Sequence, residues 1–467
     1  MSDTALFNVP PNAHLRAAAQ QIGAHTVECA MADFSSLARG KRLSVDEWVA
    51  QSGCRLPTVL LGMGVTGAAP ASVLGPLLPK AYADMQLVPD LDTLVPRPGR
   101  VGEASVLCEP TGRWWSPAMD REVDASEFSP RAVLRRVVQA YDGRGLSVSV
   151  APELEVFLLQ RQELGSGVTS ARAHPQSPVR ESACEQYSLE RTTHFEAYFD
   201  ELYEACRAWR IPLSGHLHEA AYSQFEINFL PGAPLAQADA VFRFKRLARE
   251  IAARHGFLAS FAAKPFMDQP GAGMHWHFSV QHTQPVHAAW PHLFATPQGA
   301  PSPALLHFIA GLQAHTPAAM ALFAPYGMSF DRIAHSDSSP THANWGHDDR
   351  LAAFRIPASC AQAVRVENRL PGGDASPYLT VAATLAFGLA GLQAQARPVE
   401  GKPDALALPR DLASALQALS DSEAVRSLLG APMVALFVAL KREELRERQA
   451  CADPREDWDL KHLIELA

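Results

Sequence analysis

The 467-residue chain has no excess of positive charge: 41 Lys and Arg stand against 49 Asp and Glu, a formal net charge of −8. Gripping a phosphate backbone needs a basic surface, so no nucleic-acid partner is expected. Paired cysteines are missing too. Cys29, Cys54, Cys108, Cys184, Cys206, Cys360 and Cys451 are odd in number and scattered, and no two form CxxC. That argues against a disulfide scaffold or a thiolate zinc site, and for a reducing, cytoplasmic setting. The N-terminus, MSDTALFNVPPNAH, lacks the basic and apolar regions of a secretory signal. The longest apolar runs are TVLLGMGVTGAAP and LTVAATLAFGLAGL. The first is cut by Gly and Pro and the second is shorter than the ~20 residues of a bilayer span, so no membrane partner is expected. Internal repeats and a GxxxxGK[ST] phosphate loop are also absent.

What is present is a globular composition, long enough at ~100–200 residues per domain for two or three domains or one large one. Asn12 reads as the N-cap of a helix over 12–22. HTVECAMADFSSLARGKRL reads as strand, turn and strand, and the Pro- and Asp-rich stretch 78–110 as short extended pieces. Residues 1–115 therefore form a small mixed unit, and 116–467 a larger one. The larger unit opens with SPRAVLRRVVQAYDGRG, a helix with Ser at N-cap and Pro at N1. LSVSVAPELEVFLL follows as a strand, and the polar stretch 160–186 as a mobile insertion. Next come a helix (TTHFEAYFDELYEACRAW), a hairpin (HLHEAAYSQFEINFLP) and a helix ending at Gly256. FLASFAAKPF and MHWHFSV are strands around a glycine turn, and 331–350 is an Asp/Ser/His loop. A strand (AVRVENRL), a buried helix from Pro377 and a helical tail from about Pro409 complete the chain. Strands and helices without strict βαβ alternation predict an α+β fold with a largely antiparallel sheet.

Residues 62–67, GMGVTG, formally match the dinucleotide pattern GxGxxG. The following AAPASVLGPLLPK holds prolines and a glycine that oppose the long helix such a site needs, so the segment reads as a flexible loop.

The chemistry-bearing residues sit at strand spacing. Glu153 and Glu155 are i, i+2 in APELEVF, so both carboxylates leave one face. Glu219 and Glu226 fall on the two arms of the hairpin, and His275 and His277 are i, i+2 in GMHWH. Arg365, Glu367 and Arg369 alternate in VRVENRL against Val364 and Val366. A lone Glu on a strand is usually solvated and a lone His usually a satisfied polar residue. These carboxylates lie among apolar residues that suggest a core sheet, where charge is costly unless paired or metal-bound. Five carboxylates with an imidazole suit hard divalent cations, Mg²⁺ or Mn²⁺, better than zinc. Interleaved arginines suggest anionic substrates, carboxylate or phosphate. Two metals and arginines around a phosphate describe phosphoryl transfer.

At these segments the chain resembles the glutamine synthetase superfamily. The resemblance runs from ADFSSLARGKRL through PELEVF, HEAAYSQFEINF, AAKPFMDQPGAGMHWH, DDRLAAFRIP and RVENRLPGGDASPYL to LPRDLASALQAL. QYSLERTTHFEAYFDELYE and PGAGMHWH are most similar to the gamma-glutamyl amine and polyamine synthetase branch. The resemblance implies a small N-terminal β-grasp domain and a catalytic domain with a curved antiparallel sheet and flanking helices. It implies a homo-oligomer, a dodecamer of two stacked hexameric rings with sites between subunits. ATP, as co-substrate, would phosphorylate the side-chain carboxylate of L-glutamate, and an amine would displace phosphate. Glu155, Glu219 and Glu226 would hold the metal beside glutamate, and Glu153, His275 and Glu367 the metal bridging the ATP phosphates. Arg350 and Arg355 would steady the phosphoryl charge, with His277 and Ser279 by the nucleotide. Gly271, His275, Arg332 and Arg369 would position glutamate, and Asp33 would reach the incoming amine from a neighbouring subunit.

The departures matter as much. Ammonia-using members carry a Glu in the loop between Arg332 and Arg350 that takes a proton from ammonium. Here that position is Ser338. The usual NSYKR is MSFDR, which puts Asp331 where a lysine is common, and Pro270 replaces an Asn. Serine is no base at neutral pH, and losing the carboxylate removes the attraction for a small cation and leaves room. A primary amine is the expected nucleophile, a monoamine ahead of a polyamine. Asp331, Asp337, Asp348 and Asp349 are the loop acids available to a distal cation or to the base role. The ammonia-using glutamine synthetase and a non-catalytic structural relative are the competing readings. No tyrosine follows Tyr378, so the adenylylation control of the bacterial ammonia-assimilating enzymes is expected to be absent, and amine catabolism fits better than nitrogen assimilation.

Overall fold

The computed structural model describes residues 12–161, 167–171, 180–284, 290–336 and 338–466. Helix α1 (Ala13–Gln21) leads to strands β1 (Thr26–Ala32) and β2 (Ala38–Ser44), joined by the expected turn. Asn12 does not cap α1. It sits at φ 68°, and its Nδ2 donates to Val49 O at 3.0 Å and Ser52 Oγ at 2.7 Å. The amide therefore ties α1 to the end of α2 (Val45–Ala50). Strands β3 (Cys54–Pro57), β4 (Asp84–Pro89), β5 (Val95–Pro96) and β6 (Glu103–Thr111) complete a six-stranded sheet. Its order is β2-β1-β6-β4-β3 with β5 on β6, and β1 and β6 run parallel.

A hairpin of β7 (Arg113–Ser116) and β8 (Arg121–Asp124) precedes helix α3 (Pro130–Asp142). The second sheet is built on the long strand β9 (Leu146–Arg161), with β10 (Val168–Ser170) folded back on it. Helices α4 (Leu189–Thr193) and α5 (Glu196–Ala208) lead to the hairpin β11 (Leu213–His218) and β12 (Gln224–Phe229). Helix α6 (Pro234–Arg254), β13 (Leu258–Ser260), β14 (Met274–His282), α7 (Pro303–Phe323) and α8 (Gly327–Ala334) follow. Strands β15 (Trp345–His347), β16 (Phe354–Ile356) and β17 (Val366–Asn368) finish the sheet. Helices α9 (Pro377–Ala394), α10 (Leu412–Asp421), α11 (Glu423–Leu429), α12 (Ala431–Gln449) and α13 (Leu460–Leu466) end the chain. The order is β11-β12-β9-β14-β17-β16-β15, with β10 and β13 on β9, and β15–β16 is its one parallel pair among the described residues. Leu154, Val156 and Leu158 are buried, and β9 packs against α3 and α6, which leaves the other face to Glu153 and Glu155. The α+β reading therefore holds.

Helices α3, α7 and α9 open alike. Ser129, Ser302 and Ser376 each accept a first-turn N–H, and the next residue is proline, which has no N–H to leave unpaired. Helices α7 and α9 cross where both lack a side chain. A Cβ on Gly311 would lie 2.1 Å from Phe387 O, and one on Gly391 2.1 Å from His307 O. Taken singly, α9 is the one helix among the described residues long and apolar enough to cross a membrane, and most of it is buried in the fold. Arg131 joins the two sheets' layers: it bonds Asp239 of α6 at 2.8 and 2.7 Å, Glu109 at 2.6 Å and Asp90 at 2.8 Å.

Three local expectations change. Strand FLASFAAKPF shrinks to β13 because Ala263 O turns away to accept the Ala272 N–H at 2.9 Å. The described parts of the 160–186 stretch are not loose: β10 pairs with β9, and Glu181 is buried. Residues 162–166 and 172–179 lie outside the described residues. The GMGVTG segment has no helix after it and is pinned. Val65 N donates to Glu444 Oε1 at 2.7 Å, and a Cβ on Gly64 would come within 2.5 Å of that oxygen.

Glu444 in turn pairs with the buried Lys441 at 2.8 Å, whose Nζ lies 3.7 Å from the Tyr326 ring centre. Removing one member of such a pair strands the other charge. Lys441→Met is therefore expected to cost roughly 3–5 kcal/mol, read as a lower denaturant midpoint.

Candidate active site

Sheet register does the gathering. Glu226 on β12 faces Glu155 on β9, and Glu153 on β9 faces His275 on β14. His277 on β14 faces Glu367 on β17, and Glu367 faces Arg355 on β16. Directly opposed residues share a face, and strands lie ~4.8 Å apart, so one continuous polar band crosses five strands. Glu219 joins it from the residue after β11. The band floors a cavity of about 330 Å³ lined by Glu153, Glu155, Glu219, Glu226, Gly271, His275, Arg332, Ser338, Arg350 and Arg369, among others. Thus ten residues expected from the sequence meet in one place.

Two acidic groups stand in the band. One ligand atom each from Glu155, Glu219 and Glu226 lie within 4.8 Å of one another, and the same is true of Glu153, His277 and Glu367. The groups differ in electrostatics. Burial, then the charges of Glu219 and Glu226, pushes the Glu155 carboxyl up, and burial raises Glu219. Burial and the neighbouring Glu153 push Glu226 up to about 7. Arg332 and Arg350 pull the other way on Glu155 and Glu219 but do not outweigh burial, and a divalent cation is what three convergent carboxylates would accept. In the other group burial also acts upward but is outweighed. His275 and His277 hold Glu153 low, and His275, Arg369 and His277 hold Glu367 low. Arg355 Nη1 and Arg369 Nη1 bond Glu367 at 3.0 and 2.6 Å.

The imidazoles play different parts. Arg365 Nε donates to His277 Nδ1 at 3.1 Å, so the ring's proton sits on Nε2 and is given to Glu153 Oε1 at 2.9 Å. His275 Nδ1 lies 3.9 Å from Glu153 and 3.7 Å from Glu367, too far to bond either directly. Burial, then Arg369, pushes its pKa down, against the upward pull of Glu367 and Glu153.

Arg332 is buried and bonds Leu370 O at 2.8 Å and Pro371 O at 3.3 Å. Arg355 Nε also bonds Asp348 at 3.1 Å. Ser338 N and Oγ bond only Ser336 Oγ, at 3.3 and 3.1 Å. Arg355, Glu367 and His277 sit beside the cavity through these bonds. Asp33 and Ser279 do not line it. Asp33 is 2% exposed in the β1–β2 turn, where it accepts from Ser35 N, Leu37 N and Arg39 Nε. Asp337 lies outside the described residues.

Sequence reasoning passed over several supports. Gln224 and Asn228 flank Glu226 at i−2 and i+2, a spacing that could have revealed them. Gln224 Nε2 donates to Glu155 Oε2 at 2.9 Å and Gly271 O at 3.0 Å, and Asn228 Nδ2 to Glu226 Oε1 at 2.9 Å. The Gly273 N–H also reaches Glu155 Oε2, at 2.9 Å, and a Cβ there would meet His275 Nε2 at 2.7 Å. Gln186 Nε2, 3.1 Å from Glu219 Oε2, gave no signal in the sequence.

The family described as glutamine synthetase, catalytic domain, matches residues 127–461. The chain belongs to the glutamine synthetase family, a family of ligases whose catalytic domain implies ATP and divalent metal. Gamma-glutamylputrescine synthetase PuuA of Escherichia coli (strain K12) is 31% identical over 445 residues, covering 93% of this chain and 92% of that protein. Glutamate–isopropylamine ligase of Pseudomonas sp is 27% identical over 459 residues, covering 94% and 95%. Ligand-free GmaS aligns at a TM-score of 0.77 with 25% identity, over 94% of this chain and 97% of that one. The two named enzymes are amine-ligase relatives, and the α+β, glutamine synthetase-like architecture is shared.

The raised carboxyls carry a sign. Glu226 titrates near 7 when folded against an ordinary 4.5, so in that interval the folded state holds more protons and stability falls as pH rises. Glu153 and Glu367, held low, act oppositely and only below 4.5. Metal-free protein should lose melting temperature between about pH 5 and about pH 8, Glu226→Gln should flatten the decline, and Mn²⁺ should raise the melting temperature more at the upper pH.

Proposed function

We propose that the protein is an ATP-dependent glutamate–amine ligase. It joins the γ-carboxylate of L-glutamate to a primary amine through γ-glutamyl phosphate and releases ADP and phosphate. The observation that carries the amine reading is the cavity wall beside the acidic cluster. It includes Ser336, Ser338, Ser339 and Pro340, and Ser338 stands where ammonia-using members carry a glutamate. A monoamine is favoured because, of the four loop acids, the three described ones, Asp331, Asp348 and Asp349, do not line the cavity. Asp348 is bound to Arg355, and Asp349 Oδ1 accepts the Leu351 N–H at 2.8 Å.

Two divalent cations, Mg²⁺ or Mn²⁺, supply charge neutralisation for phosphate and carboxylate when bound. Glu155, Glu219 and Glu226 are the ligands on the glutamate side. Glu153, Glu367 and His275 would serve the nucleotide side; His275 Nδ1, which faces both carboxylates without bonding either, supports that choice over His277, whose nitrogens are both engaged. Arg369 Nε is buried without a partner, which suits a substrate carboxylate, and Arg332 and Gly271 wall the same spot. A Cβ on Gly271 would come within 2.5 Å of Arg332 Cγ. Arg350 and Arg355 steady the transferring phosphoryl charge, with His277 and Ser279 toward the nucleotide. Once the amine nitrogen attacks the γ-carbonyl carbon, phosphate leaves and the nitrogen sheds a proton.

The domain boundary at 115/116, the cytoplasmic setting and assembly as stacked hexameric rings belong to this reading. The separate six-stranded sheet supports the boundary and the seven unpaired cysteines the setting, while the ring assembly rests on the family likeness.

The test is ADP release with glutamate, Mg²⁺ and a panel of ammonium, methylamine, longer monoamines and putrescine. A monoamine should give the highest kcat/KM. Ammonium as best substrate would make the protein a glutamine synthetase, putrescine would reverse the monoamine preference, and silence with every amine would leave a non-catalytic relative. Glu153→Ala should lower turnover by at least roughly 100-fold while the fold survives.

A further inference from the structure

Glu181 has no place in the reading above. It comes from the polar stretch after β10, does not line the cavity, and is only 2% exposed. Its two oxygens grip both ends of the turn between β11 and β12. Oε1 lies 3.0 Å from Nε2 of the fully buried His218. Oε2 accepts from Ser223 Oγ at 2.9 Å and from the Ser223 N–H. His218 Nδ1 meets Glu219 O at 2.8 Å, and Ser223 stands at φ 54°, a conformation a serine holds only with support. Between these anchors lie residues 219–222, and the first of them carries a carboxylate of the acidic cluster.

We propose that Glu181 is a positioning residue for the Glu155–Glu219–Glu226 metal site, acting through His218 and Ser223 to fix the turn that bears Glu219. This rests on the reading of that cluster as a metal site. The same chain segment reaches the carboxylate itself. Glu219 Oε2 accepts from Gln186 Nε2 at 3.1 Å and from Ala220 N at 2.8 Å, and both bonds fall on one oxygen. Backbone and side chain of Glu219 are thus held from one strap. Stability alone gives little reason for a buried acid here, because apolar residues of similar volume commonly serve as well. Aim is a better reason, since groups bonded to metal ligands tune affinity by roughly 10–100-fold.

Hydrogen-bond counting defines the rescue variant. Glu219 O can only accept, so His218 Nδ1 carries a proton, and opposite a neutral amide at 181 the ring can accept an N–H on Nε2. A glutamine at 181 supplies that N–H and keeps its oxygen for Ser223, so Glu181→Gln keeps the bonds to His218 and Ser223 and loses only the charge, which faces Arg191 Nε at 3.8 Å. Glu181→Ala removes them all.

The experiment is Mn²⁺ titration of the purified full-length protein, without nucleotide or glutamate, followed by electron paramagnetic resonance of the free ion and paired with melting temperatures. Glu181→Ala should weaken one class of bound Mn²⁺ by roughly 10–100-fold, and Glu181→Gln should stay near the parent. Because Glu181→Ala can unfold the turn outright, the double variant Glu181→Leu/His218→Phe keeps the volume. It should melt closer to the parent than Glu181→Ala does, the acceptor of Ser223 being lost in both, and still bind Mn²⁺ as weakly as Glu181→Ala. Parent-like Mn²⁺ binding in Glu181→Ala or in the double variant overturns the proposal, as does Glu181→Gln as weak as alanine. Glu219→Gln separates the two levels. If it leaves Mn²⁺ binding untouched, the metal-site reading fails; if it abolishes one class while the Glu181 variants do not, only the positioning role fails.

Discussion

Two glutamates held face to face across neighbouring strands are the constraint from which the rest of the site follows. Glu155 and Glu226 cannot move apart without breaking the β9–β12 ladder, which pairs five successive residues on each strand. Like charges directly opposed in a sheet are destabilising. Backbone hydrogen bonds impose the repulsion, and burial sharpens it because little water reaches the pair. Such an arrangement persists when something positive is meant to sit between the groups.

The adjoining group has the opposite character. Arg355 and Arg369 already answer the charge of Glu367, and two imidazoles answer Glu153. One half of the band is thus short of positive charge and the other largely balanced before any ligand arrives. An incoming polyphosphate would meet arginines whose present partners are carboxylates, so anion binding and carboxylate release are linked on that side. The metal-hungry half faces the serine wall, where the small reactants are expected.

Much of this was readable from the residues. The i, i+2 pairs Glu153/Glu155 and His275/His277 named both the strands and the active face, because period two leaves few alternatives. Serine before proline marked α3 correctly for a local reason, a cap and a preset φ. Long-range partners escaped. Asn12 looked like a cap, but its amide is spent on Val49 and Ser52, more than thirty residues away. GMGVTG looked like a free loop, yet its Gly64 exists to let Glu444 approach from α12. Glu181 lay in a stretch whose Ser and Gly content reads as loose, and nothing local announces a partner on β11. Which imidazole leaves a nitrogen unbonded toward the carboxylates also depended on Arg365, two strand positions from Glu367 and indistinguishable by spacing from Arg369 on its other side.

The band draws its groups from five strands, whereas the wall that meets the nucleophile comes from one loop after α8. Strand order and ladder bonds fix the former, and scattered single bonds, such as Lys264 to His335 O and Ser339 to Arg332 O, hold the latter. Exchange of side chains in that loop can therefore reshape one wall of the cavity without disturbing the ladder that holds the carboxylates. A scaffold partitioned in this way diversifies by editing a rim while its engine stays untouched.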